Sequence, residues 1–178
     1  MKKILVTAFE PFEGREVNAS AEVLWALPDR IGAFGVDRQL LPVVFGKAAG
    51  QVNPEGYDFI FLLGEAGRDS VTPETTARNL RSARIPDNGG NQPREERILP
   101  DGPDEYHTPV PVRRIVEQMA AEGYEISVSD DAGAFVCNDT FYLVGTRSRV
   151  PVDFIHVPCG RKESQARTVL RFMELALS

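Results

Sequence analysis

Apolar residues cluster along this chain in two textures. Short, dense, β-branched runs read as buried strands, and spaced apolar positions within polar stretches read as amphipathic helices. "KILVTA", residues 3–8, is a compact strand candidate. "YDFIFLLG", residues 57–64, is almost wholly apolar, as in a central parallel strand covered on both faces. "DRQLLPVVF", residues 37–45, is a weaker candidate, because Pro42 lacks an N–H and marks an edge or an end. "TTARNL" (75–80), "EISVS" (125–129) and "VDFIHVP" (152–158) complete the predicted strands.

Helical spacing appears in "NASAEVLWAL", where Val23, Leu24 and Leu27 share a face and Asn18 or Ser20 can cap. "PVRRIVEQMAAEGY" places Val112, Ile115, Val116 and Met119 on one side, with Pro111 in the first turn and Gly123 at the end. "NDTFYLVGTRSR" and "ESQARTVLRFMELAL" predict two more helices, and "GKAAGQV" a turn or two weakened by its glycines. Residues 84–109 read as one long loop rich in Pro, Gly, Asn and charge, a feature that usually carries function. The alternation predicts a single α/β domain over residues 1–178. Its expected form is a three-layer α/β/α sandwich around a mixed, largely parallel sheet.

Composition narrows the function classes. The 178 residues carry a net charge of -6, and the basic residues are scattered rather than interleaved with aromatics, which argues against nucleic acid as a partner. No apolar run approaches the roughly 20 residues of a membrane helix. The opening run is too short for a signal peptide, so the cytoplasm is the expected compartment and both cysteines are expected as thiols. "GEAGRDS" and "NGGNQP" lack the phosphate-loop pattern. Cys137, His156 and Cys159 would offer three metal ligands without an evident fourth, so no metal is expected.

Ligands of open α/β sheets bind beyond the carboxyl ends of the strands. That rule gathers "AFEPFEG", "GEAGRD", "DDAGAFVC" and "HVPCG" on one edge, bringing Cys137 towards His156. Cys137 also lies near a predicted helix N-terminus, where unpaired N–H groups favour a thiolate and lower the thiol pKa. Amides around Ala132, Gly133 and Ala134 are candidate oxyanion donors. Against this stands the ordinary role of a free cysteine as a small buried apolar residue. With two histidines in the chain, a Cys–His enzyme has little choice of base, and His107 lies in the acidic loop. Spacing alone leaves Glu74, Glu65 and Asp69 open as the group that orients the imidazole.

Together these motifs resemble the pyroglutamyl peptidase I family. "ILVTAFEPFEGREVNAS" is similar to its opening T-G-F-[DE]-P-F-G-G followed by N-P-S, and "LLGEAG" to its G-Q-A-G loop. "TPETTARNLRSARIPDNGGNQP" is similar to its loop with P-E-R, A-x-N and A-R-I-P-D-N-x-G-x-Q-P. "SDDAGAFVCN" and "FIHVP" match S-x-x-A-G-x-[FY]-[VL]-C-N and F-I-H-[VI]-P. The resemblance implies an α/β/α sandwich and a cofactor-free thiol exopeptidase. It would remove N-terminal pyroglutamyl groups through a Cys-His-Glu triad and a thioester acyl-enzyme. By position the nucleophile is Cys137, the base His156 and the acid Glu74. Arg84 takes the place of the family's arginine near the reacting carbonyl. Phe9, Phe12, Asn18, Glu65, Phe135 and Val136 take substrate-binding positions. The implied partner is a peptide with a blocked N-terminus, and the implied assembly a homodimer or tetramer.

Several positions depart from the pattern. Glu65 stands where the family has a glutamine, which offers a lactam both a donor and an acceptor. An ionised Glu65 would offer acceptors alone, whereas a protonated one could still donate. Ala8 and Glu13 replace glycines, the loop after Gly67 is one residue shorter and lacks a Gly-Arg pair, and "HVPCGRKES" is far shorter than its counterpart. These changes surround the substrate. They leave two alternatives: a divergent amidase acting on another N-acyl group, and a non-catalytic ligand-binding member of the fold. Cys159 is expected on the same edge, either as an incidental thiol or as the partner of Cys137 in an inhibitory disulfide.

Overall fold

The computed structural model describes residues 1–12, 14–160 and 162–178; the Glu13 substitution lies outside the described residues. The elements in chain order are β1 (Lys2–Phe9), α1 (Ala19–Ala26), β2 (Arg30–Ile31), β3 (Phe34–Leu41), α2 (Lys47–Gly50), β4 (Phe59–Glu65) and β5 (Thr72–Pro73). β6 (Thr76–Arg78), β7 (Glu105–His107), α3 (Val112–Ala121), α4 (Val136–Arg147), β8 (Val152–Val157) and α5 (Lys162–Ala176) follow.

Among the described residues the main sheet has six strands in the order β2-β3-β1-β4-β8-β5. β3, β1, β4 and β8 run parallel, while β2 and β5 are short antiparallel edges. The sheet is thus mixed and largely parallel, as the sequence predicts. Strand order reverses between β1 and β4, so the carboxyl ends of β1, β4 and β8 open a crevice at a topological switch point.

Alternation along the strands builds a core on each face. Ile4, Val6, Phe61, Leu63 and Ile155 pack against α1, α3 and α5 through Val23, Leu24, Ile115, Met119 and Phe172. Leu5, Ile60, Leu62, Val152 and Phe154 pack against α2 and α4 through Ala48, Ala49, Phe141 and Val144. Both faces being covered explains why β4 is apolar at almost every position. No helix among the described residues is long and apolar enough to cross a membrane.

Three local expectations change. "EISVS" is not a strand: Ile126 and Ser129 make single parallel bridges to Val71 and Glu74. Pro73 lies between those partners and has no N–H, so a continuous ladder cannot form. The long polar loop contributes β7, which pairs antiparallel with β6 from Thr76–His107 to Arg78–Glu105. Finally, α4 starts at Val136 rather than Asn138, which places Cys137 inside the helix's first turn.

Candidate active site

His156 is the fifth residue of β8 and is buried, its ring against Phe154 with centroids 4.7 Å apart. Its Nδ1 lies 2.8 Å from Oε1 of Glu74, a carboxylate with no exposed surface. Backbone pairing sets this contact. Thr72 on β5 is opposite His156, and the Glu74 N–H donates to the Phe154 carbonyl at 2.8 Å. Glu74 is therefore the acid, among the three that spacing left open, that the fold brings to the imidazole.

Cys137 is half-buried in the first turn of α4. The two residues after it anchor that turn. The Asn138 Oδ1 accepts from the Arg78 N–H at 2.9 Å, and its amide donates to the carbonyls of Arg78 and Leu80 at 2.9 and 3.1 Å. Asp139 accepts from the Gly46 N–H at 2.8 Å and from Arg81 Nε at 2.5 Å. Neither residue is singled out by the sequence pattern, although "CN" belongs to the motif that carries the cysteine. Cys137 and His156 line one cleft of about 310 Å³ with Arg68, Glu65 and the turn at residues 131–133.

A smaller pocket of about 40 Å³ adjoins Cys137, walled by Phe9, Phe12, Asn18, Glu65, Phe135 and Val136, with Val43 added. All the predicted substrate-binding residues therefore share one pocket. Phe12 and Phe135 sit face to tilted face at 6.2 Å, and Asn18 caps α1 by accepting from the Ser20 N–H at 3.0 Å.

Glu65 is saturated. Its Oε2 accepts from the Ala19 N–H at 2.6 Å, while Oε1 takes Arg15 Nη1 at 2.5 Å and the Cys159 thiol at 3.1 Å. Burial opposes its ionisation, but the Ala19 amide, the thiol and Arg15 together outweigh burial and hold the carboxyl below its ordinary range. The protonated, donating form is thus disfavoured. Neither cysteine is in a disulfide; Cys159 is exposed and Cys137 half-buried.

Three expectations need correcting. The helix N-terminus does not make Cys137 an acidic thiol: burial, then the charge of Glu74, with a smaller push from Glu65, raises it to about 12, and Arg68 opposes them. The Gly133 N–H is already committed to Asp131 Oδ1 at 2.9 Å, so it is not an available oxyanion donor. Arg84 does not line the cleft of Cys137 and His156: it is exposed and lines a separate cavity with Ser82, Gln92 and Arg94. The arginine in the cleft is Arg68, whose polar surroundings in the sequence carry no signal of a role. Among the described residues no cluster of His, Cys, Asp or Glu is arranged to hold a metal.

The profile of a family described as pyroglutamyl peptidase matches residues 2–168. The chain belongs to the pyroglutamyl peptidase family. It is 40% identical over 166 residues to the pyrrolidone-carboxylate peptidase of Staphylococcus saprophyticus, covering 88% of this chain and 78% of the relative. With the corresponding protein of Yersinia pestis it shares 35% over 198 residues, covering 100% and 92%. The crystal structure of pyroglutamyl peptidase I from Bacillus amyloliquefaciens superposes with a TM-score of 0.85 at 36% identity, covering 98% of this chain and 92% of that one. The pyrrolidone carboxyl peptidase of Thermococcus litoralis gives 0.92 at 28% identity, covering 99% and 94%. As a member of this cysteine-peptidase family the chain is a hydrolase of α/β fold.

Proposed function

We propose that this family member hydrolyses the amide bond after an N-terminal pyroglutamyl residue, with Cys137 as nucleophile, His156 as general base and acid, and Glu74 as the orienting carboxylate. The observation that carries the reading is the buried 2.8 Å contact between His156 Nδ1 and Glu74, beside a thiol on the same cleft wall. Glu74 fixes the tautomer that leaves Nε2 to take a proton.

The raised thiol shapes the mechanism. A sulfur flanked by carboxylates ionises when its proton can pass to a nearby imidazole, so His156 must receive it as the bond to carbon forms. The thiolate attacks the pyroglutamyl carbonyl, and the electron pair moves onto oxygen. First-turn amides of α4 have no intrahelical acceptor and face that oxygen. The imidazolium then protonates the departing amine and leaves a thioester. Water, deprotonated by His156, attacks the thioester, releasing pyroglutamate and the free thiol. Acid–base assistance of this kind is worth about 10² to 10⁴ in rate. No cofactor takes part, and the thiol suits a reducing compartment such as the cytoplasm.

The ring is held by Phe9, Phe12 and Phe135, with Glu65 accepting its N–H. A carboxylate has about four lone-pair sites. Ala19, Arg15 and Cys159 occupy three, and the fourth is left for the substrate.

Ionised Glu65 favours one second reading, in which the same thiol chemistry acts on a ring richer in N–H donors, such as an N-terminal prolyl group. Kinetics on matched pyroglutamyl, prolyl and acyclic acyl anilides separate the two. Pyroglutamyl turnover that disappears in Cys137→Ser and drops in Glu74→Gln supports the proposal. Full activity of Cys137→Ser would refute it, and preference for the prolyl substrate would select the second reading.

A further inference from the structure

Glu74 is an awkward residue to bury. It has no exposed surface, and its Oε2 has no hydrogen-bond partner among the described residues. Its contact with His156 is made at Oε1, and a buried carboxylate is costly unless a cation and hydrogen bonds compensate it. Other acids stand nearby. Glu65 approaches from the end of β4, and Asp153 on β8 is near enough to feel the charge of Glu74. Asp131 faces the cleft but is paired with Arg78 at 3.2 Å, and Arg15 is paired with Glu65.

Arg68 supplies the cation. It follows β4 in a tight turn closed by its own N–H on the Ala66 carbonyl at 2.8 Å. Its Nη2 lies 3.3 Å from Glu74 Oε1 and donates to the Asp131 carbonyl at 2.9 Å, while Nη1 is 3.4 Å from Thr72 Oγ1. One planar group therefore touches the acid of the proposed triad, the strand opposite His156 and the turn leading to Cys137. The guanidinium also lines the cleft that Cys137 and His156 share.

We propose that Arg68 is a positioning residue for the reaction: its guanidinium pairs with Glu74 where that carboxylate meets His156 and ties the pair to the 131–133 turn ahead of the nucleophile. The inference rests on the Cys137–His156–Glu74 reading. Arg68 acts through Glu74 and through the field at Cys137, not by contact with the scissile bond. Its cation favours the thiolate of Cys137, and a cation in a cleft lowers the pH at which its neighbours give up protons. Removing it shifts the ionisation that switches activity on and the ionisation that switches it off in the same direction, towards higher pH.

The test is kcat/KM against pH on a pyroglutamyl anilide for the wild type, Arg68→Gln, Arg68→Lys and Cys137→Ala. In Arg68→Gln both limbs of the profile should move upward by roughly one pH unit, the usual size for a neighbouring charge. kcat should fall about 100-fold with KM little changed. Arg68→Lys should keep the limbs near their wild-type positions while losing part of kcat, because an ammonium cannot span Glu74 and the Asp131 carbonyl as the planar fork does. Millimolar guanidinium should restore activity to Arg68→Gln. A fall in activity with unmoved limbs, or wild-type kinetics in Arg68→Gln, overturns the inference. Should Arg68→Gln fail to fold, Arg68→Lys decides: wild-type kcat in that variant overturns the proposed tie. Cys137→Ala separates the two readings. If it is inactive while Arg68→Gln behaves as wild type, only this inference falls; if it stays active, the triad reading itself falls.

Discussion

A side-chain carbon on Gly64 would lie 2.7 Å from Sγ of Cys137. It would also lie 2.6 Å from Cζ of Phe154, the residue whose ring supports His156. Gly64 is paired in register with His156, so the last fully buried position of β4 is left empty to seat the sulfur beside the base. The demand is for space rather than for unusual backbone. Gly64→Ala should fold with a stability loss of about 1–3 kcal/mol from overpacking. kcat/KM should fall about 100-fold, since a nucleophile displaced by an ångström loses that much. Thermal melts and steady-state kinetics check both; wild-type kcat/KM would show that the sulfur has another seat.

Asn138 holds the thiol from the other side. Its side chain closes three hydrogen bonds to the backbone of residues 78 and 80 and is completely buried. In Asn138→Ala the Arg78 N–H and the Leu80 carbonyl lose this partner, at a cost of about 1–3 kcal/mol for each group left buried, while the Arg78 carbonyl keeps the Leu80 N–H at 2.8 Å. The start of α4 should loosen, so stability and the rate of Cys137 alkylation by iodoacetamide should change together. Asn138→Asp keeps the acceptor for Arg78 but loses both donors, and it should recover little of the loss.

Much of this arrangement is legible in the amino-acid sequence. The dense runs at residues 3–8, 57–64 and 152–158 are strands because both sheet faces are covered, and the strand-end rule places Cys137 and His156 on one edge. What escapes is set by single backbone groups. Pro73 breaks the ladder that would make "EISVS" a strand. β7 hides in a loop because its three residues are exposed or half-exposed and carry no period. Glu74 could not be chosen from Glu65 and Asp69 by spacing, because the choice depends on the antiparallel pairing of a two-residue strand. The resemblance supplied it. The same resemblance puts Arg84 beside the reacting carbonyl, whereas in this chain Arg84 lines a different cavity and Arg68 lines the cleft.

Glu65→Gln tests what the departure from the family's glutamine does. An amide accepts from the Ala19 N–H and still presents a donor to the lactam carbonyl, which the ionised carboxylate cannot. For a pyroglutamyl anilide KM should fall, with a gain in kcat/KM of about 1–3 kcal/mol, or roughly 5- to 150-fold. For a prolyl anilide the ratio should move the other way. Arg15 loses its partner in this variant, so Arg15→Gln alone serves as control and should not reproduce the gain. A lower pyroglutamyl kcat/KM in Glu65→Gln would mean that this pocket is tuned to a charge.

Asp153 is the most costly group in the β8 strand. It is fully buried beside Phe61 in register on β4, and neither carboxylate oxygen makes a hydrogen bond of good geometry among the described residues. Burial raises its pKa well above the ordinary value; the Phe154 amide opposes this and the charge of Glu74 adds to it. The unfolded chain releases this proton near pH 4. Above that pH the folded state retains a proton that the unfolded state has lost, so stability falls as pH rises until the folded carboxyl itself ionises. Below pH 4 both states are protonated and the penalty vanishes. Asp153→Asn removes the titration at nearly constant shape. Its stability relative to wild type should therefore rise by more than about 1 kcal/mol between pH 4 and pH 8. Denaturant titrations at the two pH values measure this directly. A difference that is the same at both, or that favours the wild type more at pH 8, would show that Asp153 is ionised and satisfied in the folded enzyme.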